Sequence, residues 1–189
     1  LVRDAVRAFS VPSIEMMGYE ADDLMATYAR LAREAGMRVT IVSSDKDLMQ
    51  LVNDDVDMLD TMKLRAIGHA EVVEKFGVPP AKVVDVQALA GDSVDNVPGV
   101  PGIGIKTAAE LINTYGDLET LLARANEIRQ PRRRENLVAY ADQARLSKKL
   151  VMLDNDVPVD VGIETMGIHE PDPVRLIAFL KDMEFTTLT

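Results

Sequence analysis

An α/β body with a parallel sheet, followed by a helical appendage, is the fold this sequence predicts, on three observations. Helical and extended patterns alternate up to about residue 65, the order that joins parallel strands through helices. Arg38-Val-Thr-Ile-Val-Ser is rich in β-branched residues, as a buried strand is. From Gly68 onward the apolar residues fall almost entirely on a helical period. The expected parts are therefore 1–67, α/β, and 68–189, helical.

The elements follow in order. Val2, Ala5, Val6 and Phe9 share one face of an opening helix. The chain begins at Leu1, and this pattern already reads as a helix interior, so a start further upstream is expected, with 1–67 the later portion of the α/β domain. Pro12 to Gly18 is an extended link. Tyr19 to Ala35 is helical, with Leu24, Tyr28, Leu31 and Ala32 at helical spacing and Gly36 as its stop. The strand Arg38–Ser43 leads to a short helix over Asp47–Leu51, a second strand over Val56–Asp60 and a turn near Lys63. Helices are expected at 68–76, broken by Gly77, Pro79 and Pro80, and at 81–90, ended by Gly91. A turn-rich stretch then runs to Ile105, and Thr107–Tyr115, stopped by Gly116, and Leu118–Ala125 are helical. Glu135–Val151 reads as one long helix with a stripe of Leu137, Ala141, Ala144 and Leu150. Val157-Pro-Val is extended, and Val174–Met183 forms the last helix.

Composition removes several functional classes. The 189 residues are 47% hydrophobic, too many for a disordered chain. With no Trp, four Phe and four Tyr, the core rests on Leu, Val, Ile, Ala and Met, the ten Met residues filling gaps. The absence of Cys excludes disulfides, thiolate zinc sites and cysteine nucleophiles, and agrees with a cytoplasmic setting. No stretch reads as a membrane span or a signal peptide.

A net charge of −10 argues against a simple nucleic-acid binder, yet the charge is uneven. Residues 100–150 hold nine basic and six acidic side chains, a net +3, against −7 for residues 1–99 and −6 for residues 151–189. The basic stretch comprises Arg124, Arg129, Arg132, Arg133, Arg134, Arg145, Lys148 and Lys149. Taken alone it reads equally as a solvated helical face.

Seven carboxylates stand in three short clusters: Glu20, Asp22 and Asp23; Asp45 and Asp47; Asp92 and Asp95. Each has a plain alternative, because carboxylates cap helices and populate turns. Asp45 and Asp47 directly follow a strand, where parallel sheets gather ligands. Glu20, Asp22 and Asp23 open a helix, whose positive end favours anions. If the three clusters meet, their repulsion calls for bound Mg²⁺ or Mn²⁺. Two such ions suit phosphodiester hydrolysis without a side-chain base, and His69 and His169, the only histidines, lie away from the clusters in sequence.

Val97 to Ala108, Val-Pro-Gly-Val-Pro-Gly-Ile-Gly-Ile-Lys-Thr-Ala, is the more specific signal. Gly99, Gly102 and Gly104 permit close backbone approach, and Pro98 and Pro101 stiffen the turn. A helix then starts at Ile105-Lys-Thr-Ala, its first N–H groups pointing at the turn and Lys106 adding a charge. Such a hairpin grips a nucleic-acid backbone without reading bases.

Tyr-Glu-Ala-Asp-Asp, Val-Ser-Ser-Asp-Lys-Asp and Ala-Gly-Asp-Ser-Val-Asp-Asn followed by the hairpin stand in one order along the chain. With Phe76-Gly-Val-Pro-Pro and Leu146-Ser-Lys-Lys-Leu, they resemble the flap endonuclease family, in particular the 5′-3′ exonuclease domains of bacterial DNA polymerase I. The likeness covers essentially the whole chain. It implies a partial, PIN-like parallel-sheet nuclease body and a SAM-like helix–three-turn–helix domain, with the hairpin element at 89–115. It implies a two-metal site in which Asp22, Asp23, Asp45 and Asp47 serve one ion, Asp92 and Asp95 the second, and Glu20 lies between them. A potassium ion on the backbone carbonyls of Leu89, Ala90, Pro98, Val100 and Ile103 is implied as well, as are DNA contacts by Gly102, Ile103, Gly104, Ile105, Lys106 and Thr107. The family has two further metal-binding aspartates and a basic arch upstream of the position of Leu1, and a polymerase domain would follow Thr189.

The leading expectation is therefore metal-dependent 5′-3′ exonuclease and flap endonuclease chemistry on DNA flaps, nicks or gaps. A structure-specific DNA-binding module without catalysis is the alternative. A small-molecule phosphohydrolase would explain the acid but leave the hairpin without a role.

Overall fold

Val39–Val42 (β1), Val56–Asp60 (β2) and Arg65–Ile67 (β3) form one sheet in the computed structural model of the chain, which describes residues 1–185 and 187. Residues 186, 188 and 189, at the end of the expected helical part, lie outside the described residues. The expected parallel pairing holds for β1 and β2, with Val39 opposite Val56. β3 was not expected and runs antiparallel to β2, with Met58 opposite Ile67. Asp60 makes that hairpin: its Oδ1 accepts the N–H groups of Met62 and Lys63 at 3.0 and 3.2 Å. The strand Arg38–Ser43 was expected to be buried. As the edge strand β1 it buries Ile41 but leaves Val42 62% exposed.

The helices are Val2–Ala8 (α1), Ala21–Glu34 (α2), His69–Phe76 (α3), Val83–Ala90 (α4), Ile105–Tyr115 (α5), Leu118–Ala123 (α6), Pro131–Ala139 (α7), Ala141–Val151 (α8) and Pro173–Asp182 (α9). α1 packs on α9; of its expected face Ala5 and Val6 are half-buried and Val2 and Phe9 exposed, while Ala8 is its buried residue. α3 stops at Gly77, whose φ of 73° is the left-handed cap that glycine adopts without a Cβ clash. The expected long helix 135–151 is two helices. Pro131 starts α7 at its first position, where no N–H is missed. Tyr140 then leaves helical geometry (φ −110°, ψ 21°), which rotates α8 relative to α7. The buried face of α8 is consequently Ala144, Ser147 and Val151, and Leu150 is 57% exposed.

One hydrophobic core runs through both parts. It begins with Ala29, Ile41 and Met58, continues through Val72, Phe76, Leu89 and Ile112, and ends at Leu137 and Ala144. Each fully buried side chain of leucine size contributes on the order of 2–3 kcal/mol. A strap formed by residues 154–161 crosses back over α2. Thr27 Oγ1 accepts the Val157 N–H at 3.1 Å, Arg30 Nε donates to the Asn155 carbonyl at 2.8 Å, and Tyr28 donates to the Val161 carbonyl at 2.9 Å. Among the described residues, no helix is long and apolar enough to cross a membrane.

Asp117 caps α6, accepting the Thr120 N–H at 2.8 Å and the Thr120 hydroxyl at 3.0 Å. These bonds hold its carboxyl below the ordinary 3.8. Its stabilisation is therefore complete above pH 3.8 and is lost as pH falls through the lowered folded value. Asp117→Asn keeps a capping acceptor that does not titrate. Thermal melts between pH 5 and 2 should show a shallower acid-side decline for the variant than for the parent.

Candidate active site

Three chain segments bring their acids to one cleft of about 400 Å³. Glu20 and Asp22 come from the start of α2, Asp45 and Asp47 from the loop after β1, and Asp92 and Asp95 from the turn after α4. Local chemistry sets each segment. Asp45 Oδ1 accepts the Asp47 N–H at 2.9 Å, which curls the loop at the carboxyl end of β1. The turn after α4 closes on itself, Asp92 and Val97 exchanging N–H···O bonds of 2.8 and 2.7 Å, so that Asp92 and Asp95 share one loop. One carboxylate oxygen each from Asp47, Asp92 and Asp95 lies within 4.8 Å of the other two.

Asp23 is the exception among the seven. Its Oδ2 accepts the Glu20 N–H at 3.3 Å and its Oδ1 the Asp154 N–H at 2.9 Å, so it fixes the entrance of α2 and the strap. Six of the seven expected acids thus line the cleft, and Asp23 holds the backbone behind it.

Burial and then the neighbouring charges of Asp45, Asp47 and Glu20 push the Asp22 carboxyl above its ordinary value. Burial likewise raises Asp47, against a hydrogen bond from Gln87 Nε2 that lowers it. Asp92 moves the other way: Lys46 Nζ pairs with its Oδ2 and holds the carboxyl below the ordinary range. Carboxylates facing one space, with Asp22, Asp47 and Asp92 partly buried, form a hard-oxygen donor set of the kind divalent cations select. The donor set fits such ions.

The hairpin follows directly. Gly99 sits against Gly91, with φ values of 61° and 71°. A Cβ on Gly99 would lie 2.7 Å from the Ala90 carbonyl carbon, and one on Gly91 the same distance from the Val97 oxygen. Side chains of α7 and α8 hold the turn from behind. Asn136 Nδ2 donates to the Pro101 carbonyl at 2.8 Å, Gln143 Nε2 donates to the Gly99 carbonyl at 2.7 Å, and Ser147 Oγ accepts the Gly99 N–H at 3.0 Å. Gly104 precedes α5, so the first N–H groups of α5, at Ile105, Lys106 and Thr107, have no intrahelical acceptor. Gly102, Gly104, Ile105 and Lys106 are exposed, Thr107 is half-buried and Ile103 is buried. Of the carbonyls considered for potassium, those of Leu89 and Val100 already accept N–H groups from Val100 and Ile103, at 2.8 and 3.1 Å.

Lys46, Gln87, Asn136, Gln143 and Ser147 were missed from sequence. Lys46 lies between two of the acids, which is a local signal. Asn136, Gln143 and Ser147 recur at helix-face spacing, but the bend at Tyr140 hides it. Gln87 is, with Asp85, one of two buried polar residues in a mostly apolar helix and carries no signal until Asp47 is seen beside it.

The chain is similar to known proteins along most of its length. Residues 1–77 match the family model for a 5′-3′ exonuclease N-terminal resolvase-like domain, and residues 78–174 the model for a 5′-3′ exonuclease C-terminal SAM fold. The whole chain is 59% identical to part of DNA polymerase I from Rhizobium leguminosarum and spans 19% of that protein. It is 36% identical to the 5′-3′ exonuclease of Aquifex aeolicus (strain VF5) and spans 64% of it. Among solved structures, T5 5′-exonuclease with bound divalent metal ions (zinc) matches 92% of this chain and 62% of its own length, at 26% identity and a TM-score of 0.72. With the two family models together matching residues 1–174, the chain belongs to the 5′-3′ exonuclease family.

Proposed function

We propose that the chain is the nuclease part of a DNA polymerase I-type protein, hydrolysing DNA phosphodiesters at 5′ ends and flaps during replication and repair in the cytoplasm. The observation that carries this reading is the convergence of six carboxylates from three segments on one cleft beside a backbone-gripping hairpin. Two Mg²⁺ or Mn²⁺ ions are proposed, one held by Asp47, Asp92 and Asp95 and the other by Glu20, Asp22 and Asp45. Ions bound there would supply the Lewis acidity that makes water a nucleophile near neutral pH and offsets charge on the leaving oxygen.

The chain's own groups do the rest. Lys46 balances Asp92 and limits the repulsion that empty carboxylates exert on one another. Gln87 fixes the orientation of Asp47. Asp23 holds the first turn of α2 so that Glu20 and Asp22 face the cleft. The N–H groups from Gly102 to Thr107 and the Lys106 ammonium are proposed to seat the duplex backbone, setting where along the strand the cleft acts. A potassium ion near the carbonyls of Leu89, Ala90, Pro98, Val100 and Ile103 is part of the same proposal, a carbonyl that accepts one N–H keeping a second lone pair.

The test is cleavage of a 5′-flap DNA duplex with and without Mg²⁺. Cutting near the flap junction that stops in EDTA and returns with Mg²⁺ is the expected result. Tight flap binding with no cutting at any Mg²⁺ concentration would leave a clamp without chemistry. Hydrolysis of a mononucleotide with none of DNA would point to a small-molecule phosphohydrolase.

A further inference from the structure

Half of the basic stretch is consumed inside the fold. Arg145 is bound to Glu119 and Asp142, Arg124 to Glu127, and Lys148 to Asp85. Arg134 donates to the Ile128 carbonyl at 3.1 Å. The side chains of Arg129, Arg132, Arg133 and Lys149 have neither an ion pair nor a hydrogen bond among the described residues, and of these Arg132 and Arg133 are adjacent on α7. In a chain carrying −10 overall, two adjacent arginines left without an acid require a reason.

Their position gives one. Arg132 and Arg133 line a notch of about 290 Å³ with Gln130, Asn136 and the hairpin residues Gly102 and Ile103. The Asn136 bond to Pro101 fixes the distance between α7 and the turn. A second cleft along the hairpin helix holds Lys106 and Lys75 together with Glu74 and Glu110. The arginine-lined notch is therefore the more cationic of the two recesses, with no acid in its lining.

We propose that Arg132 and Arg133, with Gln130 and the edge of the turn at Gly102, form a second phosphate seat. It would take the duplex backbone where it continues past the hairpin, extending the footprint onto α7. This rests on the reading of the hairpin as a duplex-binding element and adds residues that the sequence motif does not contain. Guanidinium forks match phosphate oxygens better than point charges do.

The experiment measures the affinity of the protein for a labelled DNA duplex in Ca²⁺ buffer across a salt series. The variants are Arg132→Gln with Arg133→Gln, the same pair changed to Lys, and Arg175→Gln as a remote charge loss on α9. Glutamine is a good helix former, so α7 is retained, and circular dichroism checks this. The expected result is a slope of log Kd against log salt shallower by about one unit per arginine removed, and weakening on the order of 10-fold at 0.1 M salt. The Lys pair should recover the slope but not all of the affinity. The seat is overturned if the Gln pair keeps the parent slope, or if Arg175→Gln causes an equal loss. If the parent protein binds no duplex, the hairpin reading fails along with it, whereas normal parent binding with an unchanged Gln pair sinks the seat alone.

Discussion

Asp92→Asn and Asp47→Asn should each reduce Mg²⁺-dependent flap cleavage by at least about 100-fold, above the usual loss from outer-shell changes around a metal. They should shift the stability of the metal-free protein in opposite directions. Asp47 is half-buried among like charges, and burial already disfavours its ionised form. Asparagine keeps an acceptor for Gln87 and removes a repelling charge, so the metal-free melting temperature should rise, by an amount worth up to about 1 kcal/mol. Asp92 is nearly buried and attracted to Lys46, and its Oδ1 accepts the Val94 N–H at 2.9 Å. Asparagine preserves that turn bond but leaves Lys46 without its partner, so the melting temperature should fall. Scanning calorimetry in EDTA, with isothermal titration of Mg²⁺ into each variant, separates the two effects. Parent-like cleavage by both variants would refute the assignment of the cleft as the catalytic centre.

The second large effect belongs to the hairpin. Gly99→Ala should destabilise the protein by about 3–5 kcal/mol, the range for forcing a packed backbone apart, or roughly 10 °C in melting temperature for a chain of this size. The added Cβ meets Gly91 and Ala90 backbone rather than a side chain that can turn aside, and φ at Gly99 is positive. Because Gly91 immediately precedes Asp92, the displacement reaches the acid cleft as well as the hairpin. Gly104→Ala is the contrast: a Cβ there meets nothing within 4 Å. Its stability should change by less than about 0.5 kcal/mol, while duplex affinity falls because the new methyl occupies the face proposed to meet phosphate. Thermal melts and duplex titrations on both variants check the pair of outcomes, and equal stability of the two would contradict the packing argument.

Much of this was legible in the sequence where the cause is local. Asp45 and Asp47 follow a β-branched run, so their place at the sheet rim follows from strand direction. Gly-Val-Pro-Gly-Ile-Gly has few conformations other than a tight turn, so the hairpin was readable too. Asp23 was not: three residues from Glu20, it suits both a shared ligand set and a helix entrance. The partner that decides, Asp154, is 131 positions away. The basic stretch was legible only in part for the same reason, since Glu119 and Asp85 neutralise Arg145 and Lys148 only after folding. β3 has three residues, too few for a period to register. The bend at Tyr140 follows no Gly or Pro, so nothing in the local composition announced it.

The strap over α2 has a consequence for how the protein is made. Its bonds to Asp23, Thr27 and Arg30 join positions separated by 125–131 residues. A nascent chain emerging at about 5–20 residues per second exposes α2 well before its clasp exists, an interval on the order of 10 s. During that time Glu20 and Asp22 lack the brace behind them. The brace behind the acid cleft would therefore form only after residues 154–161 have left the ribosome.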